Sequence, residues 1–404
     1  MSNRILFISN LFPPHVLGGY EILCSQVART FAERGWTVSV LTTNHGITEG
    51  EAVDSVWEGI PVSRRLRLFL PFGEPPEIDR KVRYDVTVAN EAACRAYIEE
   101  WKPDVVFVWS LLRATVGAAR ASQALKVPTA FALNDANLAS YSAAPWSRPH
   151  KAVFDRIQFR QATLEGLNLW PATCISDAVR EDLIAAGVAA SDARTIYQGV
   201  PIERFPLKEA PGSVHSPFRI LYAGQLHDYK GVEDVIKAVG MVVGTISCEL
   251  KIAGRGDEAY EAHLNEISDG LPVTFLGRLT QEELASEYRN TDVLVFPSRW
   301  REPFGLTHLE AMASGTPVIS TAEGGPAEFL RNGENSLVVE REDPEGIARA
   351  LVRLAKDDAL RVRLANEGRR LIEERFNMDR YVSELEDWLQ HSVMNRPRPA
   401  TSMP

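Results

Sequence analysis

Cysteine is scarce in this chain and never clustered. The 404 residues hold four, Cys24, Cys94, Cys174 and Cys248, with no CxxC pair and no Cys/His group. That excludes a disulfide scaffold and a thiolate metal site of ordinary spacing, and no metal is expected. Their apolar or helical surroundings fit buried free thiols in a reducing compartment. Long apolar runs are missing too: nothing approaches the ~20 residues that a membrane-spanning helix needs. The apolar part of Met1–Ser9 is too short for a signal peptide and lacks a cleavage site, so a cytoplasmic protein is expected. Positive charge is in deficit, with 44 Lys and Arg against 54 Asp and Glu and a net charge of −10. This argues against nucleic acid as the main partner.

What is present is a long alternation of two periods. The chain is 45% hydrophobic, as soluble globular proteins are, and too long for one ordinary core. Apolar runs at Ile5–Ser9 and Thr37–Leu41 read as buried strands flanking a helix over Tyr20–Arg34, with Gly35 placed to end it. Helices over Arg80–Trp101, Arg113–Ala124 and Asp177–Ala186 follow, interleaved with strands at Val105–Trp109, Thr129–Leu133, Thr173–Ile175 and Arg194–Tyr197. Residues 201–217 hold four prolines and neither period, the composition of a linker. The alternation restarts at Arg219–Tyr222 and ends in helical stretches over Glu345–Arg375 and Met378–Val393. The predicted organisation is a first domain over 1–203, a linker over 204–217, a second domain over 218–376 and a disordered tail over 395–404. Both domains read as α/β and Rossmann-like, facing a cleft, with ligands expected beyond the carboxyl ends of the strands.

The most informative stretch is Arg301-Glu-Pro-Phe-Gly-Leu-Thr-His-Leu-Glu-Ala-Met-Ala-Ser-Gly-Thr-Pro-Val-Ile-Ser320. It puts Glu302 in a loop before a helix start and Glu310 inside that helix. Between them, Phe304, Gly305 and Leu306 supply backbone N–H groups that lack helical partners, and such a terminus attracts anions. Two acids bracketing a phosphate cradle suit a nucleotide-activated sugar. An amphipathic helix with two surface acids is the plainer reading of the spacing alone.

The segment resembles the E-x7-E signature of the retaining glycosyltransferases of family 4, which have GT-B architecture. In that family the first Glu contacts donor-sugar hydroxyls and the second binds the ribose diol; the resemblance gives those roles to Glu302 and Glu310. Gly224-Gln-Leu-His-Asp-Tyr-Lys-Gly231 resembles the family's G-R-x(4)-K-G motif, whose Arg and Lys neutralise the donor diphosphate. Lys230 matches, whereas Gln225 stands where the Arg would be, with Arg255 a candidate substitute. Gly254-Arg-Gly is read as the family's G-x-G loop beside the nucleotide, with Leu276 and Arg278 near the base. No acid follows at the distance a dinucleotide site would need. Gly18 and Gly19 resemble the N-terminal glycine loop, and Asn134-Asp135 occupies the place of a His-Asp pair whose His touches the donor sugar. Asn134 cannot carry the charge, and Asp135 is alternatively a helix cap. By the same resemblance the last helix packs back on the first domain.

The expected activity is therefore retaining transfer of a sugar from a UDP- or GDP-sugar to a glycan, lipid-linked or small-molecule hydroxyl. No cofactor beyond that co-substrate is expected. A nucleotide-sugar epimerase would need further acid/base groups, and a phosphorylase a pyridoxal lysine or phosphate site; neither is evident. A non-catalytic sugar-nucleotide module is the reading that Gln225 and Asn134 would favour. Finally, Arg64-Arg-Leu-Arg-Leu-Phe-Leu-Pro-Phe72 has the composition of a peripheral membrane contact at the inner face, or of an edge strand and loop.

Overall fold

The computed structural model describes residues 3–16, 18–48, 51–69, 79–142, 159–212 and 214–394. The chain divides into two compact units, one of residues up to Ile196 together with those from Val382, the other Tyr197–Tyr381.

In the first unit the order is β1 (Arg4–Ile8), α1 (Gly19–Glu33), β2 (Thr37–Thr43), β3 (Asp54–Trp57), β4 (Ile60–Leu66), α2 (Arg80–Trp101), β5 (Val105–Val108), α3 (Gly117–Ala124), β6 (Thr129–Leu133), β7 (Ala172–Cys174), α4 (Asp177–Ala185) and β8 (Arg194–Thr195). The strands form one sheet in the order β3-β4-β2-β1-β5-β6-β7-β8, parallel except for the β3–β4 pair. Ile5–Ile8 and Val105–Val108 are buried throughout, as strands covered by helices on both faces must be.

Three local features depart from the sequence reading. The β3–β4 hairpin was not resolved from sequence, because Asp54–Trp57 is polar and exposed along most of its length. The helix expected from Arg113 begins at Gly117, because Thr115 turns at φ 60 and the Arg113 and Ala114 amides donate to Asn10 Oδ1 at 3.0 and 2.9 Å. In the basic patch beginning at Arg64, Arg67 is exposed but the first arginine is not. Arg64 lies on β4, is 3% exposed, and donates to the Phe12 and Pro13 carbonyls at 3.1 and 2.5 Å. Arg65 is paired with Asp54 and Glu100 at 2.6 and 2.8 Å, and Leu66 and Phe69 are buried. Leu70 to Phe72 lie outside the described residues.

In the second unit β9 (Phe218–Ala223), α5 (Val232–Val242), β10 (Cys248–Ala253), α6 (Glu258–Ile267), β11 (Val273–Gly277), α7 (Gln281–Arg289), β12 (Val293–Phe296), α8 (Leu306–Ala313), β13 (Val318–Ser320), β14 (Leu337–Val338), α9 (Pro344–Lys356), α10 (Asp358–Arg375) and α11 (Met378–Leu389) follow in sequence. All its strand pairs are parallel, in the order β11-β10-β9-β12-β13-β14. Counted within the unit this is the doubly wound order that reverses beside its first strand, here between β9 and β12, where such sheets open a crevice for ligands.

The proline-rich stretch belongs to this unit. Phe205 packs on Tyr288 at 6.1 Å, Lys208 donates to the Thr291 carbonyl, and the buried Arg361 donates to Gly212 O at 3.1 Å. The helix expected over Glu345–Arg375 is two helices divided at Asp357, whose carboxylate caps the second through Leu360 N at 2.9 Å. Between β13 and β14 the chain makes a single turn over Gly325–Glu328. From Val382 onward α11 lies in the first unit, where Glu386 accepts from Trp36 Nε1 at 2.7 Å and from Arg34 at 3.2 Å. Residues 395–404 lie outside the described residues. Among the described residues no helix is long and apolar enough to cross a membrane.

Candidate functional site

The loops after β9 and β12, the two strands that flank the reversal, meet at one ion pair. The first passes Gly224 and Gln225, makes a short turn over Asp228–Lys230 and enters α5 through Gly231 at φ 71. A Cβ at Gly231 would stand 2.1 Å from the Pro297 carbonyl, so only glycine lets the two loops press together. Lys230 Nζ then lies 2.6 Å from Glu302 Oε1, and Ser298 Oγ donates to the same oxygen at 2.5 Å. Glu302 is only 8% exposed. A buried pair of this kind adds little net stability, since desolvation offsets the attraction. It stands at the sheet reversal, the place where doubly wound sheets take ligands.

The Glu302 backbone is fastened from behind. Its carbonyl accepts from Gly325 N at 2.8 Å, and Gly324 adopts φ 75, ψ −135 against it. A Cβ at Gly324 would lie 2.3 Å from that carbonyl. Gly324→Ala is expected to lower stability by about 2 kcal/mol, the scale of a forced backbone conformation, and to displace Glu302. Urea denaturation checks the first effect and an activity assay the second.

Helix α8 starts at Gly305, with φ 108 and no side-chain cap. Phe304 anchors the turn in a ring cluster with Tyr197, Phe329 and Phe376, at centroid distances of 5.9, 5.6 and 5.9 Å. Leu306 follows, half-buried, as the first helical residue. His308 is fully buried between Gly305 O at 3.1 Å and Ser320 Oγ at 2.8 Å, and burial holds its pKa down to about 4. A neutral ring in that position donates from Nδ1 to the carbonyl and accepts at Nε2, so it ties the turn to β13. Glu310, one turn further, is 8% exposed and accepts from Tyr288 OH at 3.1 Å through Oε2. Burial pushes its carboxyl up to about 7.

The glycine loop after β10 is laced into its neighbours. Gly224 N donates to Ala253 O at 3.0 Å, Leu226 N to Arg255 O at 2.9 Å and Gly254 N to Gly277 O at 2.8 Å. A Cβ at Gly254 would meet Gly224 O at 1.8 Å. Gln225 and Arg278 are exposed and Leu276 half-buried. Arg255 is exposed and engaged by Glu261 at 3.1 Å, a carboxylate that also accepts from Gly256 N at 2.8 Å. Sequence reasoning missed Arg299, which grips the buried Asp234 through two bonds of 2.7 and 3.0 Å while its own amide donates to Tyr229 O at 2.8 Å.

In the first unit Gly18 caps α1, its amide donating to Glu21 Oε2 at 2.9 Å, and Gly19 is the first helical residue. Among the described residues a Cβ at Gly18 would meet that oxygen alone, at 3.8 Å. Asn134 Nδ2 donates to Tyr20 OH at 2.6 Å and to Trp109 O at 3.1 Å. Asp135 caps the next turn through Asn137 N at 2.7 Å, and burial raises its pKa, with Arg113 acting in the opposite sense.

Two doubly wound sheets, one carrying a buried Lys–Glu pair and an uncapped helix start at its reversal, define a ligand-binding α/β protein. The family model described as Glycosyltransferase Family 4 matches residues 17–204, and that described as Glycosyl transferases group 1 matches residues 203–371. With the fold, the two matches place the chain among the GT-B glycosyltransferases. An uncharacterised glycosyltransferase of Methanocaldococcus jannaschii is 24% identical over 399 residues, covering 94% of this chain and 96% of that one. Sucrose-phosphate synthase of Thermosynechococcus elongatus superposes with a TM-score of 0.75 at 22% identity, covering 96% and 98% of the two chains. Anabaena HepE in complex with UDP-glucose gives 0.70 at 19% identity, covering 96% and 99%.

Proposed function

We propose that the second unit binds a nucleotide-diphosphate sugar, a UDP- or GDP-sugar, and that the enzyme transfers the sugar to an acceptor hydroxyl with retention of anomeric configuration. The observation that carries this reading is the buried Lys230–Glu302 pair at the β9/β12 reversal. Glu302 accepts from donor-sugar hydroxyls, Lys230 and the amides at the start of α8 hold the diphosphate, and Glu310 accepts from the ribose diol. Catalysis then consists mainly of stabilising charge on the departing diphosphate. A diphosphate oxygen takes the acceptor proton as the glycosidic bond breaks on the same face. Asn134 can accept through its amide oxygen and carries no charge, and Asp135 is held as a cap.

HepE, similar in fold, was solved with UDP-glucose, which favours the UDP form of the donor. The acceptor is a sugar, a lipid-linked glycan or a small-molecule hydroxyl. The four cysteines are buried free thiols, which suits a reducing compartment, and we assign the reaction to the cytoplasm.

Thermal-shift screening against nucleotide sugars tests the donor. The true donor at 100 times its dissociation constant is expected to add about 2.7 kcal/mol of stability. Proton NMR of the product's anomeric coupling tests the stereochemistry: a retained configuration is expected, and an inverted one would remove the retaining mechanism.

A further inference from the structure

Beside the Lys230–Glu302 pair stands a group of aromatic rings that the proposed chemistry does not use. His227 and Tyr229 are stacked, with centroids 5.1 Å apart and planes at 11°, and Trp300 lies 5.9 Å from Tyr229. Tyr229 is 37% exposed and Trp300 is 54% exposed. Grouped rather than single, and rimmed by polar side chains, open rings of this kind mark a contact surface.

The rings are also fixed in place. The Tyr229 carbonyl accepts from Arg299 N at 2.8 Å and Trp300 N at 3.1 Å, and Ser298 Oγ, whose proton goes to Glu302, accepts from Trp300 N at 3.2 Å. Ser298 is the residue that holds Glu302, and Lys230 Nζ sits 5.4 Å from the centre of the Tyr229 ring. Aromatic shelf and ion pair thus share one rigid piece of backbone, a preorganised arrangement that reduces the entropy lost on binding.

We propose that Trp300 and Tyr229 form a saccharide-binding shelf for the acceptor, on which the apolar C–H face of a sugar ring stacks. The inference rests on the donor assignment above. The occupant is a sugar because a flat exposed ring beside the polar His227 and Asp228 matches a pyranose, with one C–H face and a rim of hydroxyls. It is the acceptor's sugar because of depth: Glu302 is nearly covered whereas Trp300 is mostly open, so the shelf lies further out than the sugar that Glu302 holds.

The test uses the full chain with saturating UDP and three probes, methyl α-glucoside, methyl α-mannoside and maltose, read by saturation-transfer NMR. At least one probe should receive magnetisation on its ring C–H protons from the wild type. Trp300→Ala should weaken that binding on the order of tenfold, the scale of one aromatic contact, and Trp300→Phe should retain most of it. The thermal shift given by UDP-glucose or GDP-mannose should be the same in all three proteins. Undiminished sugar contact in Trp300→Ala, or no contact in the wild type, would overturn the shelf. A thermal shift lost with Trp300 would move the shelf to the donor side and overturn the acceptor assignment. No shift in the wild type with any nucleotide sugar would instead remove the donor reading itself, a distinct outcome.

Discussion

Lys230→Met is expected to lower kcat by about 100- to 1,000-fold, the scale seen when one preorganised group facing a developing charge is removed. The methionine keeps the length of the side chain and loses only the ammonium. The cation contributes most when the diphosphate departs, because negative charge grows there. The substitution also leaves Glu302, 8% exposed, with Ser298 as its remaining partner at 2.5 Å. Stability should fall by about 1–3 kcal/mol, less than for a fully buried pair, since the Lys230 side chain retains some contact with water. Adding Glu302→Gln should restore part of that loss, because the stranded charge is gone, while activity stays low. A double variant destabilised by the full sum of the two single effects would contradict the pairing.

Glu310→Gln is expected to stabilise the protein while weakening the donor. The folded carboxyl holds its proton up to about pH 7, whereas an exposed one gives it up near 4.5. The native state therefore binds the proton more tightly, and the stability this confers is full below 4.5 and is lost as pH rises from 4.5 through 7. At pH 8 the wild type bears the whole penalty of a buried carboxylate, on the order of 3 kcal/mol, and glutamine removes much of it. Tyr288 OH, 3.1 Å away, can still donate to the amide oxygen.

Donor affinity should move the other way, by roughly 10- to 100-fold, the value of hydrogen bonds to a charged acceptor. Because a ribose diol donates better to the ionised form, wild-type affinity should rise between pH 6 and 8 and that of Glu310→Gln should stay flat. Calorimetry at three pH values checks both. A variant that binds the donor as tightly as the wild type at pH 8 would remove the ribose role.

How much of this was visible beforehand follows from which residues leave a local imprint. Buried parallel strands did, because Ile5–Ile8 and Val293–Phe296 are short runs apolar on both faces, as strands covered by helices on both sides must be. The Glu302–Glu310 segment did as well, since its glycine, helix start and acids are contiguous. The β3–β4 hairpin did not: one strand is polar, and Arg64 on the other disguises a buried position as surface. The proline-rich stretch reads as linker because its anchors, Phe205, Lys208 and Gly212, are isolated contacts without a period. The convergence of Lys230, Ser298 and Glu302 on one oxygen was only half legible. Lys230 and Glu302 are 72 residues apart, and only the folded sheet order brings their loops together. The Arg255–Glu261 pair was hidden for a related reason, as a side chain's direction is set by its neighbours and not by its motif.

A crystal structure of the chain with an intact UDP-sugar tests the central claim most directly. The expected result is a diphosphate within hydrogen-bonding distance of Lys230 Nζ and the first amides of α8, with a sugar hydroxyl on Glu302 and the ribose diol on Glu310. A nucleotide sugar bound elsewhere, with the Lys230–Glu302 pair undisturbed and both carboxylates away from the ligand, would contradict it.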